Sequence, residues 1–233
     1  MDLKEFMSVR RAYNIVRQSV ESAERLTFEE FAILCRLDAA EAPMKTSAIA
    51  DYQGALRPTM THRTNHLASL GLIERTEGSE DRRNVVCAIS GLGRERVREL
   101  AELTRLQIPS GRALSRTSAD RIRKYVDAMG GLFCKAGDLV VLGLHSSGEG
   151  SLSIMQIVDA LGLLQPTVSM SVSSLAELGL VERAQSGDAG SHTAAVRLTP
   201  QGAASALDLA EKIEGIVVRR KLRGSRGQRV SAE

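Results

Sequence analysis

Tryptophan is absent from this 233-residue chain, and aromatic residues make up only 3% of it. Proteins that hold single-stranded nucleic acid stack its bases on exposed rings, so that mode of binding is disfavoured. Cysteine is scarce as well. Cys35, Cys87 and Cys134 are too few and too scattered for a disulfide framework or a paired-cysteine metal site, and a reducing cytoplasm is the expected compartment. No apolar run approaches the roughly 20 residues that span a bilayer, so no membrane partner is expected. The charged start MDLKEFMSVRRAYNIV does not read as a signal peptide. Strong charge of one sign is missing too: the net charge is +3, which permits nucleic-acid contact without requiring it.

Catalytic and cofactor signatures are equally thin. The stretches Gly148 to Ser151 and Gly224 to Gly227 resemble phosphate loops only in glycine content, since no lysine of the Walker type follows either and neither joins a strand to a helix. Histidine occurs at 62, 66, 145 and 192. His62 and His66 are spaced to share a metal on one helix face, but no glutamate lies between them and no third ligand is evident. The expectation is a protein without enzymatic activity, metal or cofactor.

What the chain does contain is 43% hydrophobic residues, enough for one large core or two small ones, with two small ones the better fit. The most informative stretch is Arg57 to Ser90. Pro58 suits the first position of a helix and pushes Arg57 out of the helical region. Met60, Thr64, Leu67 and Gly71 then share one face, while Thr59, Thr61, His62, Asn65, His66 and Ser69 point the other way. Gly71 ends the helix; Leu72 to Glu74 and Val85 to Ser90 read as two strands of a hairpin whose tip, GSEDRRN, carries Arg82 and Arg83. Upstream, Thr46 to Tyr52 gives a shorter helix and Gly54-Ala55-Leu56 a turn, with Leu56 plugging the angle between the helices. Helix, turn, helix and basic-tipped hairpin make a winged helix-turn-helix. Taken singly, a polar helix face and a charged loop are more simply read as solvated.

Further helices are expected over 2–24, 92–107, 119–135 and 200–220, and another from Phe28 to about Ala40 behind the capping box Thr27-Phe28-Glu29-Glu30. Shifting the numbering by 108 lays Arg57 to Arg75 on Gln165 to Arg183 without a gap, with Pro, Thr, Leu, Ala, Leu, Gly, Leu, Glu and Arg recurring in step. This is an internal duplication. The domain reading is 1–108 for a first unit, 109–118 for a linker, 119–222 for a second unit and 223–233 for a basic tail expected to be disordered. The fold class is therefore mainly α with small β-hairpin wings, a tandem winged helix-turn-helix in one chain.

The run Asp81-Arg82-Arg83, followed by Cys87 and by Ile89-Ser90-Gly91-Leu92-Gly93, resembles the wing of the MarR family of bacterial transcription regulators, in which Asp-Arg-Arg precedes a Leu-Thr-x-x-Gly strand end. Here Ile and Ser replace Leu and Thr. The stretch Leu26 to Leu34 is similar to the SarA branch, which has two-headed members. The resemblance implies a sequence-specific regulator that binds double-stranded DNA as a pseudo-dimer. The alternative is a protein-interaction module of the same fold whose acidic second half binds another regulator or itself, with weak or no DNA binding. The resemblance leaves any small-molecule effector unassigned.

Groove chemistry then assigns candidates. Thr59, Thr61, His62, Asn65 and His66 suit base edges in a major groove, Asn65 being able to pair with adenine; at the position of His62 the family commonly has Arg. Arg57 and Arg63 flank that face and suit phosphates. Arg82 and Arg83 suit a narrow minor groove, with Asp81 orienting one guanidinium. The second head offers Gln165, Thr167, Ser169 and Ser173, and its aligned loop SGDAGSHT carries no arginine. From 117 to 218 there are seven Lys and Arg against eleven Asp and Glu, so this half is acidic. Some members of the family sense oxidants through one cysteine, and Cys134 is the candidate for that role here.

Overall fold

A computed structural model describes residues 1–40, 42–77, 85–148, 150–184 and 195–218. Ten helices and two small sheets are found among them, in an order that repeats. The first half holds α1 (Leu3–Ser19), α2 (Phe28–Ala39), β1 (Met44–Lys45), α3 (Thr46–Gln53), α4 (Arg57–Ser69), β2 (Ile73–Glu77), β3 (Val85–Ile89) and α5 (Gly91–Leu106). The second holds α6 (Ala119–Met129), α7 (Ala136–Ser146), β4 (Leu152–Ser153), α8 (Ile154–Leu161), α9 (Gln165–Glu177), β5 (Val181–Ala184), β6 (Ala195–Leu198) and α10 (Pro200–Glu214). The tandem winged helix-turn-helix and the pseudo-dimer are thus present as expected. No helix among the described residues is long and apolar enough to cross a membrane.

The local signals act where they stand. Thr27 accepts from the Glu30 amide while Glu30 bonds back to the Thr27 amide, so the capping box starts α2. α7 is apolar and buried over 139–144, as an interior helix must be, while α2 is buried from 28 to 35 although it carries Glu29 and Glu30. Both wings pair antiparallel, with Ile73 opposite Ile89 and Val181 opposite Leu198. A third strand of two residues, not evident in the sequence, joins each sheet: Met44 lies opposite Cys87 and Leu152 opposite Val196.

Each wing is joined to the helix behind it by the same device. The Ser90 hydroxyl donates to the Gly71 carbonyl at 2.7 Å and accepts from the Gly93 amide at 2.9 Å, capping α5. Thr199 does the same between Gly179 and Gly202, at 2.7 and 3.1 Å, and caps α10 just before Pro200. Glycine three residues on is obligatory: a Cβ at Gly93 would stand 2.0 Å from the Leu72 carbonyl oxygen, and one at Gly202 would stand 1.9 Å from that of Leu180.

Several expectations are corrected. The buried apolar side chains form one continuous cluster through both halves rather than two small cores. The reason is that the leading helices cross: α6 packs on α2 and α5, and α1 packs on α5 and reaches α8 and α10. α1 stops at Ser19, before a short 3-10 turn at Ser22–Glu24. α6 ends at Met129, followed by Gly130 and Gly131; a Cβ at Gly130 would meet the Tyr52 ring. α10 ends at Glu214, at Gly215. Leu56, not Arg57, precedes α4. Its carbonyl accepts from the Met60 amide, and its side chain is 78% exposed instead of filling the angle between α3 and α4. The buried apolar residues of α3 and α4 are Ile49, Ala50, Met60 and Leu67. Leu92, in the first turn of α5, is also exposed.

The wing junction gives a paired test. Gly93→Ala forces a methyl into a backbone carbonyl and is expected to cost about 1–3 kcal/mol of stability. Gly91→Ala, with open space around its Cβ, is expected to be neutral within about 0.5 kcal/mol. Urea unfolding of both variants beside wild type checks the contrast.

Candidate nucleic-acid interface

Residues that fail to pack define the outer face of α4. Met60, Thr64 and Leu67 are wholly buried, with the Thr64 hydroxyl turned back to the Met60 carbonyl at 3.0 Å. At the intervening positions Arg57, Thr59, Thr61, His62 and Asn65 are exposed, and among the described residues their side chains make no hydrogen bond or ion pair. Donors, acceptors and one permanent cation thus share one open surface.

Two of the expected contacts sit elsewhere. Arg63 is half-buried and donates to Gln53 at 2.7 Å, with its guanidinium 5.8 Å from the exposed Phe133 ring. Gln53 in turn donates to the Glu29 carbonyl at 2.8 Å. His66 places Nδ1 2.7 Å from the carboxylate of buried Glu30, the same residue that closes the α2 capping box. Both side chains fasten α4 to the scaffold. Asp81, Arg82 and Arg83 lie outside the described residues, as do Asp188, Ser191 and His192.

α9 is built on the same plan with different chemistry. Val168, Val172 and Leu175 are buried. Gln165 and Ser173 are exposed, while Thr167 and Ser169 are half-buried. Ser173 is already engaged, its hydroxyl donating to the Ser169 carbonyl at 3.1 Å and accepting from Arg183 at 3.0 Å.

The two heads are also held differently. In the second, α1 lays a row of donors across the end of α8. Arg11 Nε donates to the Asp159 carbonyl at 2.7 Å, Asn14 to that of Leu161 at 2.9 Å, and Gln18 to that of Gly162 at 2.6 Å. These are the carbonyls that a helix leaves without partners at its C-terminus. Gly162 has φ +60°, and a Cβ there would lie 2.7 Å from the Arg11 carbonyl oxygen. The matching turn at Gly54 is open. The first head is fastened instead through Tyr52, whose hydroxyl donates to the Asp127 carbonyl of α6 at 2.5 Å and whose ring lies 4.1 Å from the Arg36 guanidinium carbon. Sequence reasoning assigned no role to Arg11, Asn14, Gln18 or Tyr52. A polar row at 11, 14 and 18 along an otherwise amphipathic helix was the available signal.

Arg10 and Cys134 occupy the seam between the halves. Arg10 is buried, donates to the Cys134 carbonyl at 3.2 Å, lies 3.7 Å from the Glu29 carboxylate and stacks 4.2 Å over Phe28. Burial lowers its pKa, with Glu29 opposing. Burial likewise pushes the Cys134 thiol up from 9.0 to about 11, the Arg10 charge offsetting only part of that. Since the thiolate is the reactive species, this environment opposes oxidant sensing at Cys134. The folded protein holds the thiol proton more tightly than the unfolded chain. Its contribution to stability is therefore complete below pH 9 and is lost as pH rises from 9 towards 11. Iodoacetamide at pH 8 is expected to label Cys134 only as fast as the chain opens; rapid labelling of the folded protein would show a reactive thiol.

Comparison with known proteins places both heads. Models of the MarR family match residues 26–85 and 138–190. No curated protein matches the chain. Among solved structures, the transcriptional regulator BldR from Sulfolobus solfataricus is 25% identical over 42% of this chain and 67% of its own, with a TM-score of 0.36. RV1404 from Mycobacterium tuberculosis is 19% identical over 56% and 87%, with a TM-score of 0.35. ScpB from the same organism is 11% identical over 85% and 100%, with a TM-score of 0.23.

Proposed function

From a chain that carries a MarR-family domain in each half, we propose a non-enzymatic, sequence-specific bacterial transcription regulator that acts on double-stranded DNA in the cytoplasm. One polypeptide supplies both heads of the pseudo-dimer. The observation that carries this reading is the outer face of α4, where Arg57, Thr59, Thr61, His62 and Asn65 stand exposed over a fully packed inner face. Such a helix fits a major groove, its hydroxyls, amide and imidazole meeting base edges and Arg57 a phosphate.

The first head dominates. Its wing sequence carries Arg82 and Arg83, with Asp81 to orient one of them, and each arginine placed on the backbone or in the minor groove releases condensed counterion. The aligned loop of the second head offers only Asp188, Ser191 and His192, on an acidic half. Gln165, Thr167 and Ser169 leave that head a weaker contact, the Ser173 hydroxyl being already engaged.

An electrophoretic shift at near-physiological salt, on DNA upstream of the protein's own coding sequence, separates this reading from a protein-interaction module, which would shift nothing. Asn65→Ala or His62→Ala is expected to cost about 1–3 kcal/mol on the specific site and little on random DNA. Arg57→Ala should weaken both. Equal loss on all sequences from Asn65→Ala would contradict its role in reading bases. In footprints, one half-site should be protected strongly and the other faintly. Arg83→Ala should remove most affinity and lower the salt slope by about one, while His192→Ala should change little. Equal protection of both half-sites, with equal losses from the two substitutions, would overturn the asymmetry.

A further inference from the structure

The outer face of α9 has one feature that hydroxyl chemistry does not explain. Met170 is 74% exposed, and the 108-residue shift puts it where α4 has His62. Beside it Ser173 takes the place of Asn65, but its hydroxyl is consumed by the Ser169 carbonyl and Arg183. Ser174 stands where His66 does, and Glu177 one turn further would face phosphates with the wrong sign. Thr167 and Ser169 are half-buried. The exposed large apolar side chain on this face of α9 is therefore an unbranched thioether.

Resting on the DNA-binding reading above, we propose that Met170 is a specificity-determining residue that reads the C5-methyl group of thymine in the half-site facing α9. A thioether ending in a methyl offers no strong hydrogen bond to the N7 and O6 acceptors of guanine or to the exocyclic amines of cytosine and adenine. In the major groove the thymine methyl is the apolar group that marks one base among four. Met170 is long and flexible enough to cover it. The first head, with His62 at that position, reads the same place by hydrogen bonding, so the two half-sites of one operator differ in sequence.

The test uses the full chain and a duplex selected by it from a random pool, with deoxyuridine replacing thymidine one position at a time. This removes a methyl and leaves base pairing unchanged. Wild type is expected to bind about fourfold more weakly when the contacted methyl is removed, the order expected for losing one buried methyl contact. Met170→Ala should bind the methylated and unmethylated duplexes equally, and Met170→Leu should keep the preference. Indifference of wild type to every replacement, or a preference that persists in Met170→Ala, would overturn the inference while leaving DNA binding intact. If wild type selects no duplex at all, the DNA-binding reading falls and the inference with it.

Discussion

The architecture depends on one helix serving two halves at once. α1 carries Arg10 on its buried side and Arg11, Asn14 and Gln18 on the next, so that one turn after another is committed to both parts of the chain. Arg10 brings a charge into the interior, where it would be costly alone. It is tolerated because the Cys134 carbonyl, the Glu29 carboxylate and the Phe28 ring surround it. The donors of Arg11, Asn14 and Gln18 complete the end of α8, and Gly162 lets the two backbones close to contact. Rotating the second head against the first would strand these groups together. That is why the core is continuous, and why the heads present α4 and α9 from a shared scaffold.

The same economy recurs at the wings, where a family motif turns out to be a geometric requirement. Ser90 and Thr199 each bond forward to a helix amide and back to the glycine that closes the preceding helix, and Gly93 and Gly202 sit on carbonyls that exclude any side chain. Ser in place of Thr leaves this intact because only the hydroxyl is used. The inner strand of each wing is thereby tied to α4 or α9 and to the trailing helix together.

Signals that act within a few residues were legible in the sequence. The capping box at Thr27, the cap at Thr199 and the packed face Met60, Thr64 and Leu67 all lie where local chemistry puts them. What escaped was decided by partners distant in sequence. Arg63 and His66 share the polar rim of α4 with Asn65, but Gln53 and Glu30 draw them inward. Leu56 was expected to pack because it is apolar, yet its extended backbone at the start of α4 points it to solvent. Gly130, just past α6, is held to glycine by Tyr52, on a different helix of the other half. The two-residue strands at Met44 and Leu152 have too little pattern to announce themselves; the neighbouring strand defines them.

The central claim is that one chain supplies both heads through a helix that joins them. Light scattering of the free protein and of its complex with a duplex carrying both half-sites tests it most directly. A monomer of 25.1 kDa that binds such a duplex as a single chain is expected. An obligate dimer that places two chains on the duplex, each using one head, would contradict it.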